Sequence, residues 1–243
     1  MKQIGFYFNC YKNKFATEKV LSYVRLYYPE NPIFLMSDNG DDFQQIAQKY
    51  NCHYYYSSVN VLGGRIINGK KTQCFCNQSC AKEFLKIMQL CLRTINVEYI
   101  VLLEDDVLIN GVIEKLPKYS GGAVNSNSYT ICLKHTRDLS KIKNHFPLME
   151  YTYWNQAGGS IIHSKTLEDC INSSNFDEIC MFDNYCKEGL EFWHTNDILI
   201  GFILSINGKY SEGWTNTMHS NIIHPYKDFY SKDLGIEDGV YRK

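Results

Sequence analysis

Residues 99–109 read YIVLLEDDVLI, and the rest of the chain is best read outward from them. The apolar, β-prone run from Tyr99 to Leu103 suits a strand covered on both faces, as the central strands of parallel sheets are. Three carboxylates follow without a break: Glu104, Asp105 and Asp106. Adjacent carboxylates repel one another, and withdrawing them from water beside a buried strand is costly unless positive charge compensates. A divalent cation is the natural partner, and an oxygen-only ligand set suits Mg²⁺ or Mn²⁺. Mg²⁺ is commonly held by one or two carboxylates together with substrate phosphates, so the pattern points to a phosphorylated substrate. The alternative is an acidic turn in water. An EF-hand is excluded, because counting Asp106 as first ligand puts Leu108 third and Pro117 twelfth.

Upstream of this stretch, strand and helix alternate with short connections. Ile4–Phe8 reads as a first strand. Thr17 opens a helix carrying Val20, Leu21, Val24 and Tyr27 at helical spacing, and Pro29 closes it. Residues 32–36 (PIFLM) form a second buried strand, ended by the turn SDNGDD at 37–42. A short helix over 43–50 and a third strand over 53–56 follow. Residues 57–78 make a polar, glycine-bearing loop too long for a plain connection. An amphipathic helix over 79–95 then leads into the acidic strand.

This order predicts an α/β fold: a doubly wound, mostly parallel sheet with helices on both faces. Ligands bind such sheets at the carboxyl ends of the strands, near the topological switch point. No GxGxxG follows the first strand and no GxxxxGK[ST] is present, which disfavours a dinucleotide Rossmann site and a P-loop. The second half is less regular. A strand is expected over 123–133, a glycine-hinged, strand-like segment over 151–163, and an apolar helix over 192–207 that starts at a Thr/Asn/Asp cap. Nothing resembles a linker or a repeat, so a single domain over 1–243 is expected, with a ligand-binding half at 1–110 and an irregular lobe at 111–243.

Composition narrows the function classes. Lys and Arg number 25 against 26 Asp and Glu, giving a net charge of −1, which argues against a nucleic-acid binder. With 44% hydrophobic and 14% aromatic residues the chain is not disordered, and no apolar run is long enough to span a bilayer. The N-terminus reads as a strand rather than a signal peptide, so a soluble cytoplasmic protein with free thiols is expected. Of the ten cysteines only Cys74, Cys76 and Cys80 cluster. With no second ligand pair at suitable spacing, they read as a loop and helix start carrying thiols rather than a zinc site.

The ordered pattern resembles the glycosyltransferases of the GT-A fold, whose signature is an acidic D-x-D-like motif at the end of an apolar strand. YIVLLEDDVLI matches it with Glu104 in the first acidic position. The opening IGFYFNCYKN, the turn SDNGDD, the glycine pair in WNQAGGSII and an acidic residue opening a later helix extend the resemblance over most of the chain. It implies a metal-dependent transferase using a nucleotide-diphosphate sugar, UDP-sugars favoured, with Mn²⁺ or Mg²⁺ as cofactor and a glycan or other hydroxyl compound as acceptor. By the resemblance, Phe8, Asn9 and Cys10 cradle the nucleotide, Tyr11 stacks on a base, and Asp38 contacts it. Arg65, with Lys70 and Lys71, binds diphosphate or base. Glu104 or Asp105 faces the ribose, while Asp106, with Glu104, ligates the metal. His219 and His224 are candidates to close the metal site, and Lys227 to reach the phosphates. Trp154, Asn155, Gln156, Gly158 and Gly159 match the acceptor side, where an aromatic face packs on a sugar and glycines permit close approach.

An inverting transferase needs a carboxylate to take the acceptor's proton, and Asp197 matches that place, with Glu191 and Asp183 in reserve. Helix capping alone also favours an Asp there, and retention of configuration stays open. Two other readings share the features. A nucleotidyltransferase has a similar fold, although 9–14 lacks the glycine-rich segment such enzymes carry. A non-catalytic nucleotide- or sugar-binding module would use the carboxylates without turnover.

Overall fold

The computed structural model describes residues 3–61, 64–67, 70–73, 78–122, 144, 146–148, 158–174, 196–213, 221–223, 236–237 and 240–241. The amino-terminal half follows the expected alternation: β1 (Ile4–Cys10), α1 (Lys14–Tyr27), β2 (Ile33–Asp38), α2 (Gln44–Lys49) and β3 (His53–Ser57). The segment expected as a long loop contains a hairpin, β4 (Gly64–Ile67) paired antiparallel with β5 (Lys70–Gln73). Helix α3 (Gln78–Ile95) and strand β6 (Tyr99–Leu103) complete this half. Beyond it lie β7 (Leu108–Ile109), β8 (Ser120–Gly122), β9 (Ile161–His163), α4 (Ser164–Ser173), α5 (Asn196–Ile206), β10 (Ser211–Gly213) and β11 (Ile222–Ile223). A last small hairpin pairs β12 (Ile236–Glu237) with β13 (Val240–Tyr241). The strand expected over 123–133 lies outside the described residues.

Seven strands form one sheet in the order β10-β8-β9-β6-β1-β2-β3. Strand β9 runs antiparallel to both of its neighbours, β6 and β8, while the remaining pairings are parallel. From β1 the chain winds outward through β2 to β3, then returns to place β6 on the other side of β1. The topological switch point therefore falls between β1 and β6. The sheet is buried on both faces. Phe6, Phe8 and Cys10 pack with Val20, Leu21 and Val24 of α1, whereas Tyr7 packs with Phe84 and Met88 of α3 and with residues of α4 and α5. The unbroken apolar run of β6 has the same cause: Ile100 and Leu102 enter the core on the α3 side, Tyr99, Val101 and Leu103 the core on the α1 side. This is the doubly wound, mostly parallel α/β sheet that the alternation of elements predicted.

One boundary differs from expectation. Helix α1 is capped by Asn13, whose side chain accepts from Ala16 N at 2.9 Å, and Thr17 lies inside the helix, fully buried. Asn is at least as good a cap as Thr, and Thr17 is on the same apolar stripe as Val20 and Val24.

Candidate functional site

The site is built at the carboxyl edge of the sheet, where β1, β2 and β6 end side by side. Phe8 is level with Leu103, and Cys10 with Ser37, so Asn9, Asp38 and Glu104 emerge within a few residues of one another. After Leu103 the chain makes a tight turn closed by a bond from Val107 N to Glu104 O at 3.2 Å. That turn buries Asp105 (6% exposed) and Asp106 (4%) and leaves Glu104 partly accessible.

The SDNGDD turn folds against the loop after β1. Asp41 N donates to Tyr11 O at 2.7 Å, and Ser37 Oγ donates to Asp41 O at 2.7 Å. Asn39 takes a positive φ of 55°, which Asn tolerates. Gly40 has no substitute, since a Cβ there would lie 1.6 Å from Tyr11 O. Asp42 accepts from Gln44 N (2.8 Å) and Tyr54 Oη (2.9 Å), and these bonds, the backbone one foremost, lower its pKa below the ordinary carboxylate value. Asp38 is buried, and its Oδ1 accepts from Val61 N at 2.5 Å, tying the segment after β3 to the strand end.

The carboxylates crowd round the last residues of β1. Burial pushes the Cys10 thiol well above its ordinary value, and the charges of Asp105 and Asp38 push it further. Its Sγ donates to Met36 O at 3.3 Å. Phe8 and Cys10 are buried on the α1 side, so at the strand end they offer their main chain rather than their side chains. Tyr11 is 37% exposed, with Lys12 Nζ 5.0 Å from its ring centroid.

From the second half, the glycine pair reaches the same place. Gly159 N donates to Leu102 O at 2.6 Å, and Leu102 N donates to Ser160 O at 2.9 Å. Gly159 adopts φ 89°, and Gly158 lies on the acidic turn, where an added Cβ would sit 2.5 Å from Val107 Cγ2 and 3.2 Å from Glu104 Cγ. The sequence pattern paired these glycines with an acceptor region; that they floor the acidic turn is visible only in three dimensions. A second connection was not legible in sequence. Strand β7, directly after the turn, pairs antiparallel with β11, Leu108 opposite Ile223 and Ile109 opposite Ile222. Asn221 fastens the pair, accepting from Asn110 N through its carbonyl (3.0 Å) and donating from Nδ2 to Val112 O (2.6 Å). The chain thus runs at Ile223 toward the acidic turn, and His224 is the next residue in sequence.

The donor set fits a hard divalent cation: three adjacent oxygen-only side chains, two of them buried at a strand end. Among the described residues no group of three His, Cys, Asp or Glu side chains converges to hold a metal. A cation here would take its remaining ligands from substrate phosphates or from residues outside those described. Arg65 lies in β4 and Lys70 and Lys71 in β5, with the backbone of Arg65 paired to Thr72. Asp197 falls in the first turn of α5. The side chains of these four are outside the described set, as are Trp154, Asn155, Gln156, Asp183, Glu191, His219, His224 and Lys227 altogether. Among the described cysteines, Cys10, Cys52, Cys91 and Cys170 are free thiols. No described helix is long and apolar enough to cross a membrane.

No family model matches the chain, and no curated protein matches it significantly. Among solved structures it is similar to an active-site mutant of LgtC, at 12% identity and a TM-score of 0.47, over 98% of this chain and 85% of that one. The galactosyltransferase LgtC in complex with donor and acceptor sugar analogs gives 13% and 0.46 over the same shares. The bifunctional glycosyltransferase WbbM gives 11% and 0.45, over 86% of this chain and 38% of that one.

Proposed function

We propose that this chain is a metal-dependent glycosyltransferase, moving a sugar from a nucleotide-diphosphate donor to a hydroxyl acceptor. The observation that carries the reading is the buried Asp105–Asp106 turn at the carboxyl end of β6, beside the switch point between β1 and β6. Doubly wound sheets bind ligands at that position, and buried carboxylates there call for a cation that a diphosphate can share.

Asp106 and Glu104 would hold the cation, and Asp105 would face the ribose. When bound, the cation neutralises negative charge that develops on the departing nucleoside diphosphate. Of the two histidines, His224 is favoured as a further ligand, because it follows the strand residue paired to Leu108, two positions past Asp106. Lys227 would then approach the phosphates. The main chain of 8–10 and Tyr11 bound the nucleotide side. Gly158 and Gly159 let the acceptor come close to the acidic turn, with Trp154 as a face for its ring. Asp197, at the start of α5, would take the proton from the acceptor hydroxyl, giving inversion.

The test is thermal stabilisation of the chain by a panel of nucleotide sugars, UDP-sugars first, with and without Mn²⁺. At least one donor should raise the melting temperature in a metal-dependent way, and Asp106→Ala should abolish that rise. If no nucleotide sugar stabilises the chain, or Asp106→Ala keeps the metal-dependent rise, the reading is wrong. Asp197→Asn should bind donor normally yet lose transfer by about 10²–10⁴-fold. Transfer at the wild-type rate would remove Asp197 from the mechanism.

A further inference from the structure

Two buried polar atoms on β1 have no hydrogen-bond partner among the described residues: Tyr7 Oη and Asn9 Oδ1. Residues i and i+2 of a strand project to one face, here the α3 face, where the Tyr7 ring stacks 6.2 Å from Phe34 and meets Phe84 edge-on at 6.5 Å. In register, Tyr7 is level with Leu102, and Phe8 with Leu103. Asn9 is therefore at the height where Glu104 leaves the sheet. The chain thus carries two unsatisfied polar groups on one face of β1, rooted at the level of Leu102 and at the level where the acidic turn begins. Nearly all buried polar groups in folded proteins find a partner, so an unsatisfied pair at a ligand-binding edge marks a place for a group from outside the chain.

The chemistry of the two atoms specifies that group. Asn9 Oδ1 only accepts, whereas the Tyr7 phenol both donates and accepts. Burial, together with the negative charges of Asp38 and Glu104, keeps the phenol protonated. One alcohol satisfies both atoms at once, donating to Asn9 and accepting from Tyr7.

We propose that Tyr7 is a substrate-binding residue, its hydroxyl and Asn9 Oδ1 together holding one hydroxyl of the nucleotide sugar, directly or across one bridging water. The proposal rests on the glycosyl-transfer reading above. It assigns a role to a residue that packs like an ordinary core aromatic.

Tyr7→Phe removes the hydroxyl and keeps the ring packing. Tyr28→Phe is the control, since Tyr28 Oη is already engaged, accepting from Ile113 N at 2.5 Å. Calorimetric binding of the best donor from the panel, and of its nucleoside diphosphate alone, is measured beside the melting temperature of the unliganded chain. Tyr7→Phe is expected to melt no lower than wild type and to bind donor about three- to tenfold more weakly. Tyr28→Phe should do the reverse, melting lower with donor affinity intact. Loss for both ligands places the contact on the ribose, and loss for the nucleotide sugar alone places it on the transferred sugar. Wild-type affinity in Tyr7→Phe overturns the proposal and leaves the transferase reading standing. A wild-type chain that binds no nucleotide sugar overturns both.

Discussion

Gly158 shows how closely the acidic turn is supported. Its missing side chain makes room for Val107, itself fully buried, and for the stem of Glu104. Gly158→Ala puts a methyl 2.5 Å from a branched, stiff neighbour that has nowhere to retreat. Overpacking of this kind costs about 1–3 kcal/mol. The urea midpoint should fall accordingly, and the displaced Glu104 should weaken metal-dependent donor binding in the same variant; a midpoint equal to wild type would show that the turn yields freely. At this scale much was legible in sequence. Three contiguous carboxylates after an apolar run announce a strand-end acidic site on electrostatic grounds alone. The roles of Val61 and Asn221 were not, because each depends on a partner remote in sequence: the segment that accepts from Asn221, for instance, begins 109 residues earlier.

Among the elements, one side chain fastens the end of α1 to the segments around it. Arg25 Nε donates to Tyr50 O (2.8 Å), Nη1 to the carbonyls of Tyr28 (3.1 Å), Pro29 (3.2 Å) and Asn31 (2.7 Å), and Nη2 to Asn51 O (2.9 Å). One guanidinium thus ties the end of α1, the entry to β2 and the end of α2. Hydrogen bonds from a charged donor contribute about 1.5–3 kcal/mol where they are sheltered. Arg25→Ala should lose an amount of that order in denaturant unfolding. Arg25→Lys should recover little of it, since an ammonium cannot fork to carbonyls on three segments. Full recovery by Lys would reduce the role of Arg25 to charge near the helix end. The sequence located α1 but misjudged its start, because Asn13 and Thr17 are both competent caps and only packing decides which one turns inward.

For the whole molecule, buried thiols set a limit on the alkaline side. Burial pushes Cys52 and Cys170 up to about 11 from an ordinary 9.0, and Cys10 and Cys91 well above it. In the unfolded chain these thiols ionise near pH 9, whereas in the folded chain they stay neutral. The stability they contribute is complete below pH 9 and is lost as pH climbs toward 11. Under reducing conditions the melting temperature should hold to about pH 8.5 and then fall steeply. A level profile from pH 9 to 11 would contradict the burial of these groups. Local information alone was enough for the alternation of strands and helices up to β6, the α/β class and the acidic strand end, because periodicity, capping and charge repulsion act between near neighbours. Only the tertiary structure decided the reversed strand β9, the placing of Gly158 on the acidic turn, the β7–β11 pairing and the unsatisfied pair on β1. Those follow from which faces meet once two separate cores close over the sheet, and no local pattern encodes that meeting.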